Sequence, residues 1–156
     1  IYTGEDTLSL HDALPIYDGC DAVILRIDPP SRRIEFASAK VGLIQVTSQG
    51  VCIRHGVQRC SLGYVETLQE AQQPQLQIIS YSPQDLFVIV TDGLIDQIGS
   101  QNGKRSAYGH RRLEAVLKQH HAMDAPQIAK HIQEDFAQWQ GNEPRRDDVT
   151  ALVFKL

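Results

Sequence analysis

Leu86-Phe87-Val88-Ile89-Val90-Thr91-Asp92-Gly93 is an unbroken run of β-favouring apolar side chains that ends on an acid and a glycine. A strand that is apolar at every position has to be buried on both faces, whereas a strand with one wet face alternates. Asp92 sits just past the end of that strand, where Gly93 frees the backbone to turn. A second stretch, Arg145-Arg146-Asp147-Asp148-Val149-Thr150-Ala151-Leu152-Val153-Phe154, places two acids immediately before the closing strand. If the two strands pair antiparallel, the end of one meets the start of the other and the carboxylates converge. Converging carboxylates without cysteine or histidine suit a hard divalent cation, magnesium or manganese, which takes oxygen ligands and keeps several waters. Taken singly, each motif has a plainer reading: Asp-Gly as a turn, and an acid pair as solvated loop charge.

Composition bounds what surrounds this pair. The chain has 156 residues and a net charge of −4, from 15 Lys and Arg against 19 Asp and Glu. Residues 1–16 read as the in-frame translation of a sequencing-library adapter, clearest at Thr7-Leu8-Ser9-Leu10-His11-Asp12-Ala13-Leu14-Pro15-Ile16, and are set aside from the fold. Without Glu5, Asp6 and Asp12 the balance becomes 15 − 16, or −1. That near-neutral value points to neither nucleic acid nor an anionic membrane as a partner. Cys20, Cys52 and Cys60 are odd in number and form no CxxC pair, which favours a reducing, cytoplasmic setting and argues against a zinc site. No stretch approaches a membrane span. Residues 17–156 are long enough for one domain with a real core.

Along the chain, Ala22–Ile27 and Arg33–Ala37 read as a hairpin around Asp28-Pro29-Pro30-Ser31, and Gly42–Thr47 with Val51–His55 as a second hairpin around Ser48-Gln49-Gly50. The four are expected to meander in one antiparallel sheet. A polar loop over Gly56–Pro74 precedes a strand over Leu76–Ser80, and a turn at Ser82–Asp85 feeds the apolar strand. Gln101–Ser106 reads as a basic loop. A helix opening at Tyr108 puts Leu113, Val116 and Leu117 on one face. A second is capped by Asp124 with Pro126 and Gln127 behind it, and aligns Ile128, Ile132, Phe136 and Trp139 as a core stripe. The histidines show no metal-ligand spacing. His120-His121 at a helix end complement its dipole. This pattern is α+β, with the helix pair covering one face of a sheet.

At this point the sequence resembles the metal-dependent serine/threonine protein phosphatases, protein phosphatase 2C, in their bacterial SpoIIE/RsbU branch. The resemblance rests on Asp18-Gly19-Cys20-Asp21-Ala22, Ile34-Glu35-Phe36-Ala37-Ser38-Ala39-Lys40, Ser61-Leu62-Gly63, Asp85 through Asp96, Tyr108-Gly109-His110-Arg111-Arg112-Leu113 and Arg146-Asp147-Asp148-Val149-Thr150, in the family's order. It implies an α-β-β-α sandwich, two antiparallel sheets face to face with helices outside, present here in part and cut on its N-terminal side. It implies Asp92 and Asp147 as metal ligands, with Asp148 and Gly93 as supporting groups or further ligands. Separately, Arg145-Arg146 adjoin these acids, and the Arg146 guanidinium either meets substrate phosphate or, more simply, balances the acids beside it. The cofactor implied is a pair of Mn2+ or Mg2+ ions. The reaction implied is hydrolysis of phosphoserine or phosphothreonine on a partner protein by water that the ions activate, without a covalent phosphoenzyme. The partner implied is a phosphorylated signalling protein such as an anti-sigma factor antagonist.

The departures carry expectations of their own. The family's early basic residue, its early acidic strand and its Asp-Gly-His-Gly motif, which supplies the metal-bridging aspartate, are absent. Asp18-Gly19 is followed by a strand rather than by His-Gly. Two carboxylates without their partners hold a divalent ion poorly, so this stretch alone is expected to be inactive while its parent is an enzyme. The alternative is a pseudophosphatase-like domain that keeps the fold for protein interaction and has lost the metal.

Overall fold

In a computed structural model of the chain, residues 20–56, 62, 74–101 and 104–156 are described. The adapter reading of residues 1–16, the Asp18-Gly19 pair, Cys60 and most of the Gly56–Pro74 loop lie outside them.

The apolar run forms β6 (Leu86–Val90) and all five of its residues are buried. β6 lies inside a four-stranded antiparallel sheet with β3 (Leu43–Val46), β4 (Cys52–His55) and β9 (Ala151–Lys155), in the order β4-β3-β6-β9. Its two faces go to two different cores, which is why it does not alternate. Leu86, Val88 and Val90, with Ile44 and Val46, pack beneath α2 (Gly109–His120) and α3 (Ala125–Gln140). Phe87 and Ile89, with Leu43, face a second sheet across Ile34, Phe36 and Ile79. Phe87 stacks on Phe154 with ring centroids 5.4 Å apart, a cross-strand aromatic pair that holds β9 to β6.

The second sheet has the order β1-β2-β5, built from β1 (Ala22–Asp28), β2 (Arg33–Ala39) and β5 (Gln77–Ser80). The architecture is the expected α+β sandwich: two antiparallel sheets face to face, with the helix pair outside one of them. One expectation fails. The first four strands do not share a sheet, because the chain leaves the first hairpin at Lys40 (φ 60°) and Val41-Gly42 and places β3 in the opposite layer. The meander reading counted adjacent strands as neighbours. Here β2 and β3 each bury one face in the same inter-sheet core instead.

A second correction concerns the basic loop expected over Gln101–Ser106: most of it lies in strand, with β7 (Ile98–Gln101) paired antiparallel to β8 (Lys104–Ala107). The hairpin is short, and β8 is exposed throughout, so no hydrophobic period announces it. It is held to α3 by Gly99, where an added Cβ would run into the Trp139 carbonyl and indole. α2 and α3 are joined by a polar centre: Asp135 accepts from the Tyr108 hydroxyl at 2.8 Å and from Arg112 Nε and Nη2, each at 2.7 Å. The Arg112 guanidinium also lies 4.6 Å over the Trp139 ring. Asp124 caps α3 as read, accepting from the Gln127 amide at 3.1 Å, and Trp139 belongs to the core.

Candidate metal centre

β6 and β9 pair antiparallel with Val90 opposite Ala151, so the residues after one strand face the residues before the other. The ladder continues for one more step. The Thr91 amide donates to the Thr150 carbonyl at 3.1 Å, and the Thr91 hydroxyl accepts from the Thr150 amide at 3.0 Å while donating to the Asp148 carbonyl at 3.1 Å. Thr91 thus ties the two motifs together immediately before the acids. After it the chain turns into a single helical turn, α1 (Asp92–Ile95), with Asp92 as its first residue.

Gly93 is where the two loops touch. Its φ is not positive, so glycine is required here for space rather than for conformation. An added Cβ would stand 2.9 Å from the Asp148 carbonyl carbon and 3.3 Å from that of Asp147, with the Asp148 carbonyl oxygen closer still. On the other side of this contact, the Asp148 amide donates to Asp147 Oδ1 at 2.7 Å, which fixes the Asp147 carboxylate against its own backbone.

The result is a small polar cleft of about 160 Å³ lined by Asp92, Gly93, Asp96, Arg146 and Asp147. Of the residues singled out in the sequence, Asp92, Gly93, Arg146 and Asp147 meet in it. Asp148 does not line it and acts through its backbone. Asp96 was not foreseen as part of the site, although its place four residues after Asp92 on a helical turn brings both acids to one side. Gln97 was missed as well. Its buried amide bonds the Pro144 carbonyl and the Arg146 amide, and nothing in its sequence context marks it.

Three carboxylates and one guanidinium around one cleft leave an excess of negative charge that a cation would offset. All the acidic donors are oxygen, which fits Mg2+ or Mn2+ and not a thiolate-bound zinc. Among the described residues no three His, Cys, Asp or Glu side chains close into a cage on their own. Magnesium is commonly held by one or two carboxylates together with water and substrate phosphate, and Asp92 with Asp147 meet that requirement. Three of the described histidines are engaged elsewhere. His120 stacks on His131 at 3.9 Å, and His121 Nδ1 bonds the Lys118 carbonyl at 2.8 Å at the end of α2. Burial pushes the Cys52 thiol pKa up, so that thiol is not an activated nucleophile.

Known proteins match this fold. A family model, Stage II sporulation protein E (SpoIIE), matches residues 6–156. A search of curated protein sequences finds no match. Among solved structures, the SiaA-PP2C domain of Pseudomonas aeruginosa is similar at 27% identity and a TM-score of 0.76, over 87% of this chain and 51% of that one. The phosphatase domain of the cell fate determinant SpoIIE from Bacillus subtilis is similar at 14% identity and a TM-score of 0.65, over 90% and 57%. The Mycobacterium tuberculosis serine/threonine phosphatase PstP/Ppp is similar at 13% identity and a TM-score of 0.61, over 88% and 60%. The chain therefore spans about half to three fifths of the length of these solved domains. With the ordered motifs, the paired strands that bring Asp92 and Asp147 to one cleft, and a family match over nearly its whole length, the chain belongs to the SpoIIE family and has the protein phosphatase 2C fold.

Proposed function

We propose that the full-length protein is a metal-dependent serine/threonine protein phosphatase acting on a phosphorylated regulatory protein, with Asp92 and Asp147 holding Mn2+ or Mg2+. The observation that carries this reading is that two acids 55 positions apart in sequence line the same cleft, on loops clasped by Thr91 and by the close approach at Gly93. A divalent ion there supplies an activated water and offsets charge on the transferring phosphoryl group. The protein's own contributions are separate. Asp92 and Asp147 bind, the Asp148 amide orients Asp147, and Arg146 offers a cleft-lining guanidinium suited to phosphate oxygens. Gly93 keeps the wall thin.

The anti-sigma factor antagonist as substrate and the cytoplasmic setting belong to the same proposal, as does the exclusion of residues 1–16 from the domain, although the family match begins at residue 6. No helix among the described residues is long and apolar enough to cross a membrane. Sequencing the genomic locus across residues 1–17 tests the adapter reading; an uninterrupted native codon series there would overturn it.

A non-catalytic interaction domain of the same fold is the second reading: the cleft offers the carboxylates of Asp92, Asp96 and Asp147 but, among the described residues, no closed cage. Release of phosphate from a phosphoserine protein by the full-length protein, with and without Mn2+, decides between them. Mn2+-dependent release supports the phosphatase. A well-folded protein with no release and no Mn2+ binding supports the interaction domain.

A further inference from the structure

We propose that Gln97 is a positioning residue for the metal-binding loop, setting Asp147 opposite Asp92; this rests on the reading of those two acids as metal ligands. Gln97 lies two residues past the end of α1, after the C-cap Asp96, and is 0% exposed. Burying an amide costs several kcal/mol unless its polar atoms are paired, roughly 2–7 by transfer measurements, so a buried glutamine is kept where its hydrogen bonds have a use. Each of its polar atoms here is bonded to backbone. Nε2 donates to the Pro144 carbonyl at 3.0 Å and to the Ile98 carbonyl at 2.9 Å, and Oε1 accepts from the Arg146 amide at 3.3 Å.

The two bonds to the loop grip it on either side of Arg145 and end one residue before Asp147. Pro144 has no N–H of its own to offer a strand ladder; one side-chain amide therefore does for this segment what a neighbouring strand would otherwise do. Gln97's own carbonyl accepts from the Tyr108 amide at 2.9 Å, which anchors the grip to the start of α2. Other links flank these bonds: the Gln140 amide donates to the Glu143 carbonyl at 3.0 Å, the Arg145 guanidinium lies 5.7 Å from the Phe136 ring centroid, and past Asp147 the Thr91 hydroxyl donates to the Asp148 carbonyl at 3.1 Å. The Arg105–Glu143 ion pair at 2.7 Å has its arginine side chain 66% exposed; exposed pairs of that kind contribute about 0–1 kcal/mol, so the buried Gln97 amide is a stronger constraint than that pair. Through Gln97 the α1 turn that carries Asp92 and the loop that carries Asp147 become one rigid unit.

The test uses the full-length protein with Gln97→Met, which keeps the bulk and loses every bond, Gln97→Glu, which keeps the acceptor for Arg146 and loses the donor to Pro144, and Ile79→Val in the inter-sheet core as a control for simple destabilisation. Two quantities are read: Mn2+ affinity by calorimetry, and metal-free hydrogen exchange of the peptide spanning residues 143–149. The expected result is a loss of Mn2+ affinity of about 10–100-fold in Gln97→Met, as for other groups that orient metal ligands. Gln97→Glu turns a buried acceptor against the Pro144 and Ile98 carbonyls and is expected to lose at least as much, whereas Ile79→Val should lose less than about twofold, with exchange accelerated in both Gln97 variants. Affinity and exchange within about twofold of the parent in both Gln97 variants, or an equal change in Ile79→Val, would overturn the proposal. Should Gln97→Met not fold, Gln97→Glu against Ile79→Val decides by the same criteria. Asp147→Asn separates the two levels. If it leaves Mn2+ affinity unchanged, the metal reading fails, and the exchange measurement alone decides whether Gln97 positions the loop.

Discussion

Gly93→Ala sets a propensity gain against a steric cost, and the structure says which is larger. In the first turn of a helix, replacing glycine by alanine gains up to about 1 kcal/mol where nothing obstructs it. Here the new methyl would stand 2.9 Å from the Asp148 carbonyl carbon and nearer its oxygen, against ordinary contact at 3.4 Å and beyond. The obstacle is backbone, not a flexible side-chain end, so the Asp147-Asp148 segment must move as a piece. Overpacking of this kind costs about 1–3 kcal/mol. Displacing the Asp148 carbonyl also strains the Thr91 hydroxyl bond at 3.1 Å, for about 1 kcal/mol more. The net expectation is a destabilisation of about 1–3 kcal/mol, a fall in Tm of roughly 3–10 °C for a domain of this size. Mn2+ affinity should fall further than stability alone explains, because the segment that moves carries Asp147. Thermal unfolding followed by circular dichroism, with calorimetric Mn2+ titration, reads both. A Tm unchanged or raised, with Mn2+ affinity intact, would refute the close approach as the reason for glycine.

The remaining expectations concern the scaffold. Asp135→Asn leaves one oxygen for three donors, the Tyr108 hydroxyl and two nitrogens of Arg112. The pair is only partly buried, with side chains 25% and 22% exposed, so a loss of about 1–3 kcal/mol in urea unfolding is expected; a loss below about 0.5 kcal/mol would mean that the cluster does not hold α2 to α3. Burial holds the His55 and His110 imidazoles below their ordinary pKa of 6.5. The unfolded chain therefore binds protons at a higher pH than the folded one, and stability is full above about pH 6.5 and declines as pH falls toward the lowered folded values. Denaturation midpoints at pH 7.5 and 5.5 check the sign, and a midpoint that rises on acidification would contradict it.

Much of this architecture is written in local pattern. The β6 run is apolar at every position because Leu86, Val88 and Val90 serve one core and Phe87 and Ile89 another, and that is the property which marked it as doubly covered. The α3 cap and core stripe followed from side-chain chemistry and helical period. The layer assignment of β3 and β4 did not, since a chain crossing between sheets at Lys40–Gly42 uses the same residues as one turning within a sheet. The β7–β8 hairpin escaped because it is short and largely exposed. The meeting of Asp92 and Asp147 in one cleft was legible from their strand-edge positions. Asp96 and Gln97 were not, because their roles arise from a turn of helix and a buried amide bond to a loop 47 residues away in sequence.

The central claim is that Asp92 and Asp147 hold a divalent ion used for phosphoester hydrolysis. It is tested most directly by expressing the full-length protein and measuring Mn2+ binding and Mn2+-dependent release of phosphate from a phosphoserine protein, beside Asp92→Asn. The account predicts binding and release in the parent, with both reduced by at least about 100-fold when the Asp92 charge is removed. Full activity in Asp92→Asn, or a folded parent that neither binds Mn2+ nor releases phosphate, would contradict it.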